Sequence, residues 1–519
     1  MRELHTEVVI LGAGAGGFGA CWELTRRGVP VVIADRNPGF GGNAVYSGVS
    51  CWEPGVSLEG VHRILAQRLL QTGGAQVQKT IPNYKLFRED MGYTDPHALC
   101  PAYPWGLSVA SGDDYKSTLR RCRQFCTSPH DWRRFMTDED ALGAEMAAMI
   151  AENGPYCTTL FGYQYTGCET EDRRIRAVLL TDSSETVRVT ADWFIDCSGD
   201  ILMLRDAGCR CVIGDDDGDP SALNGVSMVF RVSRRKVAVP LPSPDAAQLA
   251  AAAARDADWE RDRMRCTVSC FNLYPNGDIN VNMLPTLTGA EWQALGDSAP
   301  ATGIARVWRY WSFMQREKEL ADWQITRIFA PGIREGWRLV GRKVLTLEDI
   351  IAPFVPDENT IAIADHALDT HGLKSAIPGE LAHPYAIPLD CARPVEYDNA
   401  FAACRGASFS HTAASSARLT RTMMSMGEGV AKYILRQRPQ QKRASKKLRP
   451  VFPHRTELSF YSIFSSKIIP GSSFRISAST ETSRAIGHTT WCPMASAAAT
   501  PPVSMLRRSA FGQQRPFTI

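Results

Sequence analysis

The stretch EVVILGAGAGGFGACWELTRRGVPVVIAD, Glu7 to Asp35, decides how the rest of the chain is read. Val8, Val9, Ile10 and Leu11 form a continuous apolar run of the kind a fully buried parallel strand needs, and it breaks at Gly12, Gly14 and Gly17. That is G-x-G-x-x-G between a strand and a helix. The first glycine permits the tight turn, the second lets backbone approach a pyrophosphate, and the third lets helix pack closely on strand. The phosphates then sit at the helix N-terminus, where free N–H groups point at them. Phe18, Cys21, Trp22 and Leu24 recur at helical spacing, and Gly28 is placed to end the helix. Val31, Val32 and Ile33 then lead into Asp35, close to the spacing of about 20 residues at which a ribose-binding carboxylate follows the glycines. With both strands, the helix and the acid in register, the stretch reads as a dinucleotide site.

The remaining composition limits what such a site can belong to. A chain of 519 residues exceeds one compact core and predicts two domains plus extras. Residues 437 to 519 carry 13 Lys or Arg against 2 Asp or Glu, which leaves 45 basic and 53 acidic groups in the first 436. An acidic body argues against nucleic-acid binding, which needs clustered positive charge. No charged segment followed by an apolar run opens the chain, and nothing approaches 18 consecutive apolar residues, so neither a signal peptide nor a membrane span is expected. The 15 cysteines include no C-x-x-C pair, and Cys122/Cys126, Cys209/Cys211 and Cys266/Cys270 match no zinc or iron–sulfur spacing. Reduced thiols in a cytoplasmic protein are the expectation.

After Asp35 comes Arg36-Asn37-Pro38-Gly39-Phe40-Gly41-Gly42-Asn43, then a small polar segment through Ser47 and Ser50. A nicotinamide unit does not require this second glycine pair. Here the sequence resembles the glutathione-reductase-type FAD domain, in which such a pair passes the FAD diphosphate and the following segment runs toward the isoalloxazine. The resemblance implies FAD contacts by Gly41, Gly42, Asn43 and Ser47. Succinate dehydrogenase relatives often carry a flavin-linking histidine in this segment. None lies between Gly41 and Gly60, which implies non-covalent FAD.

Val61 to Leu70 and Asp138 to Asn153 have helical spacing, and the aromatic and proline-rich residues 82 to 115 read as a lid or packed loop. Tyr156 to Thr166, Ile175 to Thr181 and Val187 to Ile195 read as a β-meander. It ends at Ser198-Gly199-Asp200, similar to the turn that returns to FAD in the resembled family. Asp215 to Asp219 fails the calcium-loop pattern, since position twelve is Val226, and reads as a solvated acidic turn. Val226 to Val232 and Asp278 to Leu284 read as strands of a second domain, with helices over Ala246 to Met264 and Ala305 to Ile325.

Two further segments are similar to bacterial FAD-dependent oxidoreductases related to fumarate reductase and succinate dehydrogenase flavoproteins. In Pro331 to Asp349, Arg334, Arg338 and Arg342 lie four apart and share one face if the segment is helical. A guanidinium fork there suits a carboxylate substrate, or else pairs with Glu335, Glu348 and Asp349. In Asn399 to Arg436 the family places a strand, a turn over the flavin and a helix whose arginine and late glycine correspond to Arg418 and Gly427. Arg405 lies in that turn, and Cys404 departs from its usual small residue. The N-terminus of the helix can face the flavin N1 and C2 carbonyl, where charge gathers on reduction. Leu419, Met423, Met426, Val430 and Ile434 mark its buried face.

These readings predict an α/β protein: a Rossmann-like FAD domain (residues 1–60, 136–215 and 390–436) with a parallel sheet and β-meander. A helical or lid insertion (61–135), an α+β substrate domain (216–389) and a basic, disordered tail (437–519) complete it. The expected FAD residues are Gly12, Gly14, Gly17, Asp35, Arg36, Gly41, Gly42, Asn43, Ser47, Ser198, Gly199, Asp200, Arg405 and Gly427. The catalytic candidates are His411, Arg418, Arg338 and His371, with no metal. The expected function is FAD-dependent hydride transfer between a small organic substrate, a carboxylic acid among the options, and flavin N5. An unidentified electron acceptor or donor completes the cycle. The alternatives are an NAD(P)H-linked reductase and a flavin-binding module without turnover.

Overall fold

The computed structural model describes residues 1–52, 60–79, 81–82, 133–234, 240–264, 268–317, 320–370 and 381–438. The chain divides into two compact units, Met1–Arg449 and Pro450–Ile519, and the second lies outside the described residues, as does nearly all of the expected tail. The first unit contains every segment expected to form the FAD, insertion and substrate regions.

Its main sheet has seven strands: β1 (Arg2–Leu11), β2 (Val31–Asp35), β3 (Cys157–Phe161), β4 (Gln164–Glu171), β5 (Arg174–Thr181), β6 (Thr186–Asp196), and one from near the end of the unit. The spatial order is β3-β2-β1-β6-β5-β4. β1 runs parallel to β2, with Val8 opposite Val31, and parallel to β6, with Val8 opposite Trp193. Val8, Val9 and Ile10 are completely buried, as the apolar run requires of a strand covered on both faces. Helix α1 (Ala15–Thr25) follows the glycine turn.

The meander is shifted from its expected place. Tyr156 to Thr166 is two strands, because Gly162 turns the chain at φ +81° and donates its N–H to the carbonyls of Asp35 and Asn37. Its first half, β3, runs parallel to β2 and extends the Rossmann side, and the meander proper is β4-β5-β6.

A second, antiparallel sheet holds β7 (Val226–Arg234), β8 (Val268–Leu273), β9 (Ile279–Leu287) and β10 (Trp323–Ile328) in the order β10-β7-β9-β8, with Ile81–Pro82 added at the β8 edge. β8 and β10 were not expected. The helix read over Ala305 to Ile325 spans Ala299–Glu317 and the chain then enters β10, while Ala246 to Met264 breaks into Ala246–Arg255 and Ala257–Asp262. At that break Asp256 receives the guanidinium groups of Arg306 and Arg309.

The chain returns to the main sheet at β11 (Ala400–Ala402), which lies parallel to the end of β6. It continues into α4 (His411–Ala417) and α5 (Thr420–Gln437). Helices α1 and α5 cross very closely. A Cβ on Gly19 would sit 2.1 Å from the Met424 carbonyl oxygen, and one on Gly427 would sit 1.9 Å from that of Gly16. Met423, Met426, Val430 and Ile434 are buried on the expected face.

Candidate functional site

A cavity of about 850 Å³ opens where β1, β2 and β6 end, and runs toward the second sheet. Of the expected site residues, Gly12, Gly14, Asp35, Arg36, Gly41, Gly42, Asn43, Ser47, Ser198, Gly199, Asp200, Arg405 and Arg418 line it. Residues as far apart in the chain as Gly12 and Arg418 thus share one wall.

The glycines divide by what a side chain would meet. At Gly12, with φ +102°, a Cβ would lie 2.3 Å from the Cys197 carbonyl oxygen, and at Gly17 it would lie 1.9 Å from that of Gly12. Both are required by the packing of the turn itself. Gly14 differs: its nearest neighbour would be the Gly42 Cα at 3.7 Å, an ordinary contact. The protein does not need a glycine at 14, so the open space belongs to whatever lies in the cavity. Asp35 accepts from the Ala13 N–H at 2.7 Å and from the Asn37 backbone and side chain at 2.8 and 2.9 Å. It ties the glycine turn to the end of β2 and keeps lone pairs toward the cavity, since a carboxylate offers about four acceptor sites.

Farther along, the Asn43 side chain donates to the Ile333 carbonyl at 2.9 Å and Ser47 to the Pro331 carbonyl at 3.2 Å. These two residues therefore clamp the 331–333 segment across the cavity. Ser198 donates to Asp196 at 2.7 Å, and Asp196 in turn caps the helix Leu202–Asp206 by accepting from the Met203 and Leu204 N–H groups. Arg405 pairs with Asp200 at 2.9 Å. Buried atoms of described lining residues without a hydrogen-bond partner include Trp52 Nε1, Asp200 Oδ1, Asn282 Oδ1, Arg405 Nε and Arg418 Nε. Buried polar groups of this kind are costly unless something satisfies them.

The catalytic candidates fare differently. Pro331 to Arg342 is not helical: only Arg338–Leu339 is a strand, paired to Cys211–Val212, and the irregular chain on either side sends the three arginines to different partners. Arg334 reaches the cavity and donates to Ser227 Oγ at 2.8 Å. Arg342 turns to Asp398 at 2.8 Å. Arg338 is buried away from the cavity, paired with Glu335 and donating to the Phe409 and Gly214 carbonyls. The structural alternative weighed for it, a pair with Glu335, is the arrangement present.

His411 also faces Glu335, with Nδ1 2.9 Å from Oε1, and is not on the cavity wall. Burial alone lowers its pKa, but the hydrogen bond and charge of Glu335 outweigh that and hold it above the ordinary value of 6.5. The helix expected after His411 is two helices, parted at Arg418 and Leu419. The N-terminus of α4 is covered by Ser410 and by Asp216 of the acidic loop, which accepts from the His411 and Thr412 N–H groups. It is α5 whose start, Leu419 to Arg421, lies on the cavity without any side-chain cap. Gly427 packs on α1 and does not reach the cavity. His371 lies outside the described residues.

Several lining residues were not named from sequence. Asn272, Asn280 and Asn282 stand on one face of β8 and β9, and the alternation Asn280-Val281-Asn282 was a readable sign that both amides share a face. His366 and Asp369 also line the cavity; both belong to the pairs Asp365-His366 and Asp369 to His371, in which the sequence sets carboxylates near histidines, although His371 was the candidate taken from them.

A family model described as FAD dependent oxidoreductase matches residues 7–435. The chain belongs to this family. No curated protein matches the oxidoreductase. Solved structures to which it is similar include L-proline dehydrogenase from P. horikoshii, at 13% identity and TM-score 0.39 over 85% of this chain and 96% of that one. A geranylgeranyl bacteriochlorophyll reductase-like protein from Thermoplasma acidophilum has 12% identity and TM-score 0.35, over 66% of this chain and 68% of that one. The flavin-dependent monooxygenase PieE, solved with FAD and substrate, has 12% identity and TM-score 0.36, over 66% of this chain and 52% of that one.

The cofactor of the oxidoreductase is FAD. The open space at Gly14 and the unpartnered polar atoms along the wall fit it. No helix among the described residues is long and apolar enough to cross a membrane.

Proposed function

We propose that the cavity binds FAD non-covalently and that the protein oxidises or reduces a small organic substrate by hydride transfer. FAD, when bound, supplies the hydride-accepting or hydride-donating N5. In this reading Gly12, Gly14 and the start of α1 hold the diphosphate, Asp35 holds the ribose, and Gly41 and Gly42 leave room for the chain between them. Arg405 and Asp200 meet the middle of the cofactor.

The observation that carries the reading is the uncapped start of α5 beside Arg418, whose Nε is buried, on the cavity wall. A free helix N-terminus and a guanidinium favour negative charge, which is what reduction creates. Burial lowers the pKa of Arg418 against the pull of Asp369 and Glu335, so an anion beside it regains the favourable interaction that burial removed. Arg334 and the asparagine face of the second sheet are the contacts for the substrate, with Arg334 suited to a carboxylate. The sequence similarity of Pro331 to Asp349 supports a fumarate-reductase-like relation.

The test is the visible spectrum of purified or FAD-reconstituted protein, followed by anaerobic addition of hydroxy, unsaturated and amino acids. Flavin bands that bleach with one of these classes are expected. A protein without flavin bands after reconstitution refutes the proposal.

A further inference from the structure

Behind the wall of the cavity, one buried carboxyl is joined to it by a hydrogen-bond chain. Glu139, the first residue of α3 (Glu139–Ala151), is completely buried. Its Oε1 accepts from Ser50 Oγ at 2.9 Å and from the Tyr274 hydroxyl. Its Oε2 is buried with no hydrogen-bond partner. Ser50 and Asn280 both belong to the cavity wall, and Asn280 Nδ2 donates to the Tyr274 oxygen and to the Gly48 carbonyl, each at 3.0 Å.

Two sets of forces act on this carboxyl. The start of α3 and Arg231, whose Nη1 lies 3.8 Å from Oε2, favour the anion. Arg231, however, is already shared between Asp138 at 3.0 Å and Asp278 at 2.7 Å. Complete burial and the bare Oε2 favour the neutral acid, because a buried carboxylate oxygen without a donor loses its hydration uncompensated. Burial prevails over the hydrogen bonds from Tyr274 and Ser50 and raises the Glu139 pKa from its ordinary value. Tyr274 is raised well above its own range, by burial first and then by Glu139, and so remains a donor. The charged and titratable groups facing Glu139 are thus Tyr274 and Arg231, with Asp138 and Asp278 behind the latter.

We propose that Glu139 is the proton store of this site, exchanging a proton with the cavity through the Ser50 hydroxyl when the bound cofactor is reduced. This rests on the FAD reading above. A substrate whose reacting carbon bears an O–H or N–H loses a hydride, with its electron pair, to the flavin and is left with one proton to release. That proton passes to Ser50 Oγ while the Ser50 proton moves to Glu139 Oε1. The substrate loses two electrons and two protons in all, one proton within the hydride and one to the carboxylate. Glu139 acts through Ser50, and is a positioning residue in that sense.

The experiment uses the FAD-loaded protein, photoreduced anaerobically without substrate, because reduction places the same negative charge in the cavity. The infrared difference spectrum between reduced and oxidised protein is expected to contain a carboxylic-acid C=O band that moves in D2O. The band is lost in Glu139→Gln and shifted in Ser50→Ala. Tyr274→Phe, which removes one donor to Oε1 without a new charge, shifts the same band and serves if Glu139→Gln does not fold. A band unchanged in these variants, or none in wild type, overturns the proposal. If visible spectra show FAD bound and reduced in those samples, only the proton store has failed; absence of bound FAD refutes the FAD reading instead.

Discussion

Replacing Arg338 by Met separates a folding role from a chemical one. The guanidinium is 1% exposed and its partner Glu335 carboxylate 0% exposed. Arg338 also donates to the Phe409 carbonyl at 3.1 Å and the Gly214 carbonyl at 2.6 Å. Removing one member of a buried pair strands the other charge, at a cost of about 3–5 kcal/mol. Glu335 keeps the Asn224 backbone and side-chain donors at 3.0 and 2.9 Å, and His411 at 2.9 Å, which places the expected loss at the low end, about 3 kcal/mol. The Glu335→Gln/Arg338→Met double variant no longer buries a lone charge, so it is expected to lose less than the two single variants together by about 2 kcal/mol or more. Denaturant unfolding followed by tryptophan fluorescence measures these differences. Flavin-quenching titrations on the folded variant measure FAD binding, which is expected to stay within about threefold, a change of under 1 kcal/mol. A loss below about 1 kcal/mol, or a stable variant that has lost FAD, refutes the reasoning and returns Arg338 to the site.

Two further outcomes follow from the same geometry. Gly14→Ala is expected to fold normally yet bind FAD at least about tenfold more weakly, whereas Gly16→Ala, whose Cβ would lie 1.7 Å from the Ala403 carbonyl oxygen, is expected to lose about 1–3 kcal/mol or more of stability. Equal FAD affinity in Gly14→Ala and wild type would contradict the assignment of that space to the cofactor. His411 has a folded pKa raised above 6.5, so its contribution is fully present below about 6.5 and is lost as pH rises through the raised value. Unfolding midpoints of wild type and His411→Gln should therefore converge as pH rises above neutral, and a constant difference across that range would count against the Glu335 contact.

Much of the cavity wall was legible because its signals are local. A buried strand, a turn whose Gly12 and Gly17 tolerate no side chain and an acid at the end of the next strand all lie within Glu7 to Asp35. Gly41-Gly42 and Ser198 to Asp200, singled out by resemblance, line the cavity. The catalytic candidates were less legible. A spacing of four put three arginines on one helical face, but the segment is irregular apart from Arg338–Leu339, and Arg338 goes to Glu335, Arg342 to Asp398 and Arg334 to the cavity. His411 looked like a group at a flavin-facing helix end until Asp216 covered that end. Gly427 looked like a cofactor residue, and α1 needs it for close packing.

The residues from Glu7 to Asp35 were sufficient to read as a dinucleotide turn, because strand, glycines, helix and acid are neighbours in the chain. Which polar side chains face the cavity, and which are consumed in holding the fold, was decided only when β6, β11 and α5 came together on β1 and α1. The reason is that a buried charge takes its role from its partners. For Glu335, Arg338 and Glu139 those partners lie up to 141 positions away, beyond the reach of any local pattern.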